Sequence, residues 1–166
     1  MNLSARNLTE KGLVGYVVRA LRRYDVPPAL LELEITESSV MTAPARARQL
    51  VTEFRELGIR VAIDDFGTGF TSLAALKDLP VSELKVDRSF VMGMAEHDRD
   101  AHIVRTVVQL SHALGITAVA EGVEEPAVLA ALAALGCDVV QGYHFSRPLA
   151  AEDFSAWHSQ WCRDAD

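Results

Sequence analysis

The feature that most constrains the fold is a regular alternation of strand-like and helix-like segments. Short apolar runs rich in β-branched residues begin near positions 31, 60, 83, 116 and 138, and so recur every 22 to 33 residues. Apolar residues between these runs recur at helical spacing, as Leu13, Val17 and Leu21 do. Repeats of this size are βα units, which predict a parallel sheet flanked by helices.

Two α/β architectures fit this alternation, an open doubly wound sheet and a (β/α)₈ barrel. A complete barrel takes ~250 residues, whereas this chain has 166 residues. It therefore supplies about six of the eight βα units of a barrel. The sequence contains no linker or low-complexity segment, and we interpret residues 1–166 as a single domain.

Composition narrows the classes of function. The net charge of −7 disfavours non-specific binding to DNA, RNA or an anionic membrane. Cys137 and Cys162 have no CxxC spacing, so neither a zinc site nor a disulfide framework is indicated. No apolar run reaches the ~20 residues that span a bilayer, and no signal-peptide pattern opens the chain. The expectation is a cytoplasmic protein that does not insert into a membrane.

Polar residues follow the predicted strands where each strand ends. These residues are Asn2, Glu34, Glu37, Asp64, Asp65, Lys85, Asp87, Glu121, Glu124 and Gln141. The carboxyl ends of parallel strands lie together at one edge of a sheet or one rim of a barrel, which is where α/β proteins form their sites. A solvated strand end explains any one of them, but recurrence over six strands favours a shared site.

The stretch from Val61 to Phe70 carries the strongest chemical signal. An apolar run ends in the adjacent carboxylates Asp64 and Asp65, followed by Gly67-Thr68-Gly69. Two ionised acids inside a strand would bury one unpaired charge, whereas at its carboxyl end both can turn toward a cation. Carboxylate and amide oxygens are hard ligands suited to Mg²⁺ or Mn²⁺. Two such ions ~4 Å apart activate water for attack on a phosphodiester, and Lys85 is placed to hold or deprotonate that water.

Two other signals are weaker. Asp65-Phe66-Gly67 matches the kinase DFG triplet, but no glycine-rich loop, VAIK-type strand or HRD segment precedes it. The five histidines have no metal-ligand spacing, and exposed or core positions explain them better.

Six ordered segments closely resemble the signature motifs of the EAL-domain cyclic di-GMP phosphodiesterases. They are Asn2-Leu3-Ser4, Glu34-Ile35-Thr36-Glu37-Ser38, Asp64-Asp65-Phe66-Gly67-Thr68-Gly69, Leu84-Lys85-Val86-Asp87-Arg88-Ser89-Phe90, Ala120-Glu121-Gly122-Val123-Glu124 and Gln141-Gly142-Tyr143. The resemblance covers essentially the whole chain. It implies a TIM-like barrel that converts cyclic di-GMP to 5′-pGpG with two Mg²⁺ or Mn²⁺ ions.

The resemblance also implies roles for the residues at the strand ends. Asn2, Glu34, Asp64 and Asp65 resemble metal ligands, with Asp64 as the bridge. Lys85 resembles the residue that positions the attacking water, Glu121 a further ligand or water-holding base, and Gln141 a residue that supports this site. Glu37 resembles the anchor of the loop 67–70, which in the family couples the metal site to dimerisation, so a homodimer is an open expectation. Asp87 and Glu124 match family positions of undefined role.

The chain also departs from the family pattern. It has no counterpart of the segment with the Glu-Ala-Leu motif, whose glutamate is a metal ligand, and its numbering starts at the family's third strand. We therefore expect a truncated barrel that cannot close and has unpaired edges. Phe70, Ser82 and His144 also differ from the usual residues, without removing a presumed ligand. The alternative to an active phosphodiesterase is a catalytically impaired module that binds nucleotide or a protein partner.

Overall fold

The computed structural model describes residues 1–69 and 73–164. Its strands are β1 (Asn2–Leu3), β2 (Glu32–Thr36), β3 (Arg60–Phe66), β4 (Glu83–Val86), β5 (Thr117–Ala120) and β6 (Val139–Val140). Its helices are α1 (Ala5–Thr9), α2 (Leu13–Arg23), α3 (Glu37–Thr42), α4 (Pro44–Glu56), α5 (Leu73–Lys77), α6 (Arg88–Gly93), α7 (Asp98–Leu114), α8 (Pro126–Ala134) and α9 (Ala151–Asp164). The predicted alternation of strands and helices is confirmed.

The sheet decides between the two architectures that the sequence left open. Its six strands lie in the order β1-β2-β3-β4-β5-β6, and every neighbouring pair is parallel. A doubly wound sheet reverses its strand order at a switch point, whereas barrel strands follow one another in chain order. The topology is therefore that of consecutive barrel units. β1 and β6 are the edge strands of the sheet that the described residues form.

Three short helices were not predicted from the sequence, and each begins at a polar cap. Ser4 and Asn7 form a reciprocal capping box for α1, the Thr36 side chain accepts from the Ser39 amide at the start of α3, and Asp87 caps α6. Side-chain acceptors of this kind satisfy backbone N–H groups that a first helical turn leaves unpaired. Ser4 and Asp87 directly follow a strand, and Thr36 is the last residue of β2, so no polar loop separates strand and helix.

The two faces of the sheet have opposite character. On β2, Leu33 and Ile35 are completely buried against the helices, while Glu32, Glu34 and Thr36 alternate with them and point to the other face. Alternating side chains of β3 and β4 continue both faces. The apolar core therefore lies between sheet and helices, and the opposite face carries the charged residues that form the site.

At the last strand, apolar side chains remain partly exposed. Val139 of β6 is 46% exposed, and Phe154 and Trp161 of α9 are 50% and 44% exposed. The rings of Trp157 and Trp161, both on α9, stack on each other at 5.8 Å. Among the described helices, none combines the length and the apolar character needed to cross a bilayer.

Candidate active site

The centre of the charged face is the ammonium group of Lys85 on β4. Its Nζ lies 2.7 Å from Glu34 Oε1, 2.5 Å from Glu121 Oε1 and 3.9 Å from Asp64 Oδ1. The Lys85 side chain is 6% exposed, so the strands exclude most water from these contacts. Four strands thus bring together a lysine and three of the predicted acidic residues. One ammonium cannot balance three carboxylates, so the group retains negative charge.

A backbone irregularity turns the two adjacent aspartates to the same side. Asp65 has a left-handed φ of 55°, and the pairing of β3 with β4 shifts between Ile63 and Phe66. Such a bulge breaks the alternation that would send neighbouring side chains to opposite faces. The Asp65 amide donates to Asp64 Oδ1 at 3.0 Å, which fixes the first carboxylate. Aspartate tolerates the left-handed region better than most residues, which suits this position.

Three carboxylates of this group are spaced as ligands of one cation. Oxygen atoms of Asp64, Asp65 and Glu121 all lie within 4.8 Å of one another. These are hard oxygen donors, the kind that Mg²⁺ and Mn²⁺ prefer, so the residues fit such an ion. Glu34 instead faces Lys85. Asn2 lies opposite Glu34 in the β1–β2 register, at the same edge of the site.

The ionisation of these groups reflects their crowding. Burial, followed by the charges of Asp64 and Asp87, raises the pKa of Asp65. Burial also raises the pKa of Glu121, against the hydrogen bond and charge of Lys85. For Lys85, burial would lower the pKa, but hydrogen bonds to Glu121 and Glu34 outweigh it and the pKa is raised. Lys85 is therefore a protonated hydrogen-bond donor in this arrangement.

Lys85, Glu34, Asp64, Asp65 and Glu121 are called the ion group below. Glu37 lies beside this group, at the start of α3. Its Oε2 accepts from the amides of Gly67 at 3.0 Å and Gly69 at 3.2 Å, and the residue is 3% exposed. A Cβ on residue 69 would lie 2.9 Å from Glu37 Oε1, so glycine allows this close approach. The structure thus places Glu37 as an anchor of residues 67–69. Phe70, the last residue of the predicted loop, lies outside the described residues.

Two further predicted residues occupy the rim. Asp87 accepts from the Ser89 amide at 2.9 Å and from the Ser89 hydroxyl, and a hydrogen bond with it contributes to the raised pKa of Asp65. Glu124 is exposed and lines an open cavity of about 770 Å³ that Glu121 and Gln141 also line.

Comparison with known proteins assigns the family. The sequence model of the EAL domain matches residues 1–148. The chain belongs to the EAL domain family. It is 44% identical over 157 residues to the cyclic di-GMP phosphodiesterase NbdA of Pseudomonas aeruginosa, covering 93% of this chain and 20% of NbdA. The chain spans about a fifth of the length of the first curated relatives it matches.

Solved EAL structures have the same fold. The structure of the MucR phosphodiesterase of Pseudomonas aeruginosa in complex with c-di-GMP superposes with a TM-score of 0.89 at 42% identity, over 92% of this chain and 62% of that one. The EAL domain of Mycobacterium smegmatis DcpA gives a TM-score of 0.89 at 38% identity, over 96% and 71% of the two chains. The prediction of an α/β fold of the TIM-like barrel type is confirmed, and the described part of this EAL chain contributes six strands to it.

One turn of the EAL domain ties Gln141 to the ion group. Gln141 Nε2 donates to Glu121 Oε1 at 2.8 Å, and the backbone carbonyl of Gln141 accepts from the Val123 amide at 3.0 Å. Gly142 lies so close to Val123 that an added Cβ would be 2.1 Å from the Val123 carbonyl oxygen and 2.3 Å from its nitrogen. Backbone atoms cannot give way as a side chain can, so only glycine fits at position 142.

We expect Gly142→Ala to lower the free energy of unfolding by about 3 kcal/mol, because the added methyl group overlaps backbone atoms. Urea denaturation measures the loss. Gly15→Ala in α2 is the matched control, since its Cβ meets only the Arg19 guanidinium at 3.3 Å, and alanine in a helix gains about 0.5–1 kcal/mol over glycine. Equal stability of the two variants would contradict the close approach.

Sequence analysis missed a second charged group on the same face, at the amino ends of the strands. Arg60 lies 3.7 Å from Glu32 and 3.2 Å from Glu83. Burial, a hydrogen bond with Glu32 and its charge raise the pKa of Glu83 to about 7. The signal was present, because these residues start three adjacent strands and lie two positions before Glu34, Ala62 and Lys85. When the strand register is not known, solvated strand ends explain these residues equally well.

This group predicts a specific dependence of stability on pH. A carboxyl group with a raised folded pKa binds its proton more tightly in the folded state, so its contribution is complete below the ordinary value of 4.5 and lost as pH rises through about 7. Glu83→Gln removes this titration and keeps a donor for Glu32. We expect the stability of Glu83→Gln minus that of the unmodified chain to rise by about 2 kcal/mol from pH 5 to pH 8.

Urea denaturation at the two pH values measures this difference. Glu56→Gln, an exposed substitution at the end of α4, corrects for the change in net charge. A stability difference for Glu83→Gln that is the same at pH 5 and pH 8 would show that Glu83 does not titrate between them.

Proposed function

We propose that this chain is a metal-dependent cyclic di-GMP phosphodiesterase domain that hydrolyses cyclic di-GMP to 5′-pGpG. The observation that carries the proposal is the convergence of Glu34, Asp64 and Glu121 on Lys85, with the Asp65 carboxylate beside them. Relatives named as cyclic di-GMP phosphodiesterases support the choice of substrate. So does a similar structure solved in complex with c-di-GMP.

The resident cofactor in this proposal is a pair of Mg²⁺ or Mn²⁺ ions. Asp64, Asp65 and Glu121 have the donor chemistry and spacing to hold one ion. Asn2 and Glu34 would complete the ligand set that the family resemblance implies. When bound, such ions neutralise charge on a phosphodiester and make bound water acidic enough to attack it.

The remaining residues orient the carboxylates and the attacking water, and they hold the loop that follows β3. Lys85 donates hydrogen bonds from a protonated ammonium group to Glu34 and Glu121, which keeps both carboxylates in place and leaves a donor to position the attacking water. Gln141 donates to Glu121 and fixes its rotamer. Glu37 holds the amides of Gly67 and Gly69, so that the Asp64–Asp65 segment has a defined end. Dimerisation through this loop and a cytoplasmic location stay predictions.

The test is direct. The purified chain is incubated with cyclic di-GMP and Mn²⁺, and the products are separated by ion-exchange chromatography. We expect 5′-pGpG to accumulate. EDTA is expected to stop the reaction, because the carboxylates alone carry no positive charge to offset the negative charge of the phosphate. Binding of cyclic di-GMP without turnover would instead support the catalytically impaired module, and absence of both would contradict either function.

A further inference from the structure

The cavity beside the ion group is lined by an arginine to which the family motifs give no role. Arg88 is the first residue of α6 and is exposed. It lines the cavity of about 770 Å³ together with Glu121 and Gln141. A volume of this size is in the range of cavities that hold small-molecule ligands. The arginine and the catalytic group therefore face the same space.

The backbone holds the stem of Arg88 against the site. Gly122 has a left-handed φ of 71°, and a Cβ built on it would lie 2.6 Å from Arg88 Cβ. Only a residue without a side chain lets the arginine pack this close to the backbone that follows Glu121. The stem of Arg88 thus has a defined position, although its guanidinium is exposed.

Among the described residues, the Arg88 guanidinium has no anionic partner. Its Nη2 donates to Met92 Sδ at 3.5 Å, a weak acceptor. No carboxylate in residues 1–69 or 75–163 lies within 4 Å of it. The other arginine of the cavity, Arg147, lies over the Tyr143 ring at 4.6 Å. Arg88 is therefore a cation of the cavity that is left available for a ligand, whereas Arg147 is engaged with an aromatic ring.

We propose that Arg88 binds the phosphodiester group of cyclic di-GMP that does not react. This inference rests on the proposed function and extends it. The substrate carries two phosphodiester groups, and the ion group accounts for only the one that is cleaved. The second brings a negative charge into a cavity that Glu121 and Glu124 line. A guanidinium binds phosphate with two parallel hydrogen bonds, which suits it to offset that charge and to orient the ring.

The experiment compares Arg88→Gln, Arg88→Lys and the control Arg105→Gln, which changes an exposed arginine of α7 that does not line the cavity. Equilibrium binding of cyclic di-GMP is measured in Ca²⁺, and kcat and KM are measured in Mn²⁺. We expect Arg88→Gln to raise Kd and KM about 10- to 50-fold, because it removes a charged hydrogen bond, with the loss falling on KM rather than kcat. Arg88→Lys recovers part of the affinity, and Arg105→Gln stays within about twofold.

The salt dependence of the affinity is a second measurement, and it would not differ between the two chains if Arg88 had only a structural role. The affinity of the unmodified chain falls with added NaCl more steeply than that of Arg88→Gln, because one charge contact is absent from the variant. Equal Kd values for Arg88→Gln and Arg105→Gln, or a loss confined to kcat, would overturn the proposal. If the unmodified chain binds without turnover, the proposed function fails while Kd still judges Arg88; if it does not bind, both fail.

Discussion

Asp64→Asn is expected to lower kcat/KM for cyclic di-GMP by at least about 10³-fold, since it removes charge from the group that holds the metal ions. Asparagine has nearly the same shape as aspartate, and its amide oxygen can still accept the Asp65 N–H that Asp64 Oδ1 accepts at 3.0 Å. The substitution therefore changes charge with little change in packing. The rate of 5′-pGpG formation at saturating Mn²⁺ measures the effect.

Stability separates a chemical role from a structural one. The charge of Asp64 contributes to the raised pKa of Asp65, so the two carboxylates repel each other. In EDTA we expect Asp64→Asn to be as stable as the unmodified chain or more stable, because this repulsion is relieved. Asp78→Asn, at an exposed position after α5, is the control for loss of one negative charge. Turnover by Asp64→Asn within tenfold of the unmodified chain would exclude the proposed ligand role.

The sequence was sufficient for the fold and for the expectation that the polar strand ends lie together. Both depend on patterns that are local to the chain. The period of apolar residues predicted the units of β2 to β6, and the carboxyl end of a parallel strand has a fixed place in the sheet. Glu34, Asp64, Lys85 and Glu121 could therefore be assigned to one rim without coordinates. The strand order removed the doubly wound alternative, which no local pattern could do.

The internal geometry of the site depends on contacts between strands. The left-handed φ of Asp65 follows from the register shift between β3 and β4, which is a property of the pair and not of either sequence. The same limit applies to Lys85. Its position two residues along the strand from Glu83 was readable, but its contacts with carboxylates of β2 and from beyond β5 were not. Sequence left open whether Lys85 holds or deprotonates water, and the surrounding carboxylates favour the protonated donor.

Lys85→Met is expected to lower both the stability of the chain and its turnover. Lys85 is a counter-ion of the carboxylates in the absence of metal, and it is a hydrogen-bond donor in the reaction. In EDTA, the variant leaves the partly buried carboxylates of Glu34 and Glu121, each 18% exposed, without their cation. Removal of one partner from such a group costs about 3 kcal/mol. Methionine fills a similar volume, so the loss is electrostatic and not a packing defect.

Metal ions are expected to reverse the loss of stability but not the loss of turnover. Mn²⁺ supplies positive charge to the same carboxylates, so the stability deficit of Lys85→Met, measured by urea denaturation, is expected to shrink by more than half in saturating Mn²⁺. Turnover remains about 10²- to 10³-fold lower, because no ammonium group positions the water. Lys77→Met, at an exposed position of α5, controls for the lost charge. An equal deficit in EDTA and Mn²⁺ would mean that Lys85 stabilises the fold by packing, and that the carboxylates around it do not share a site with metal ions.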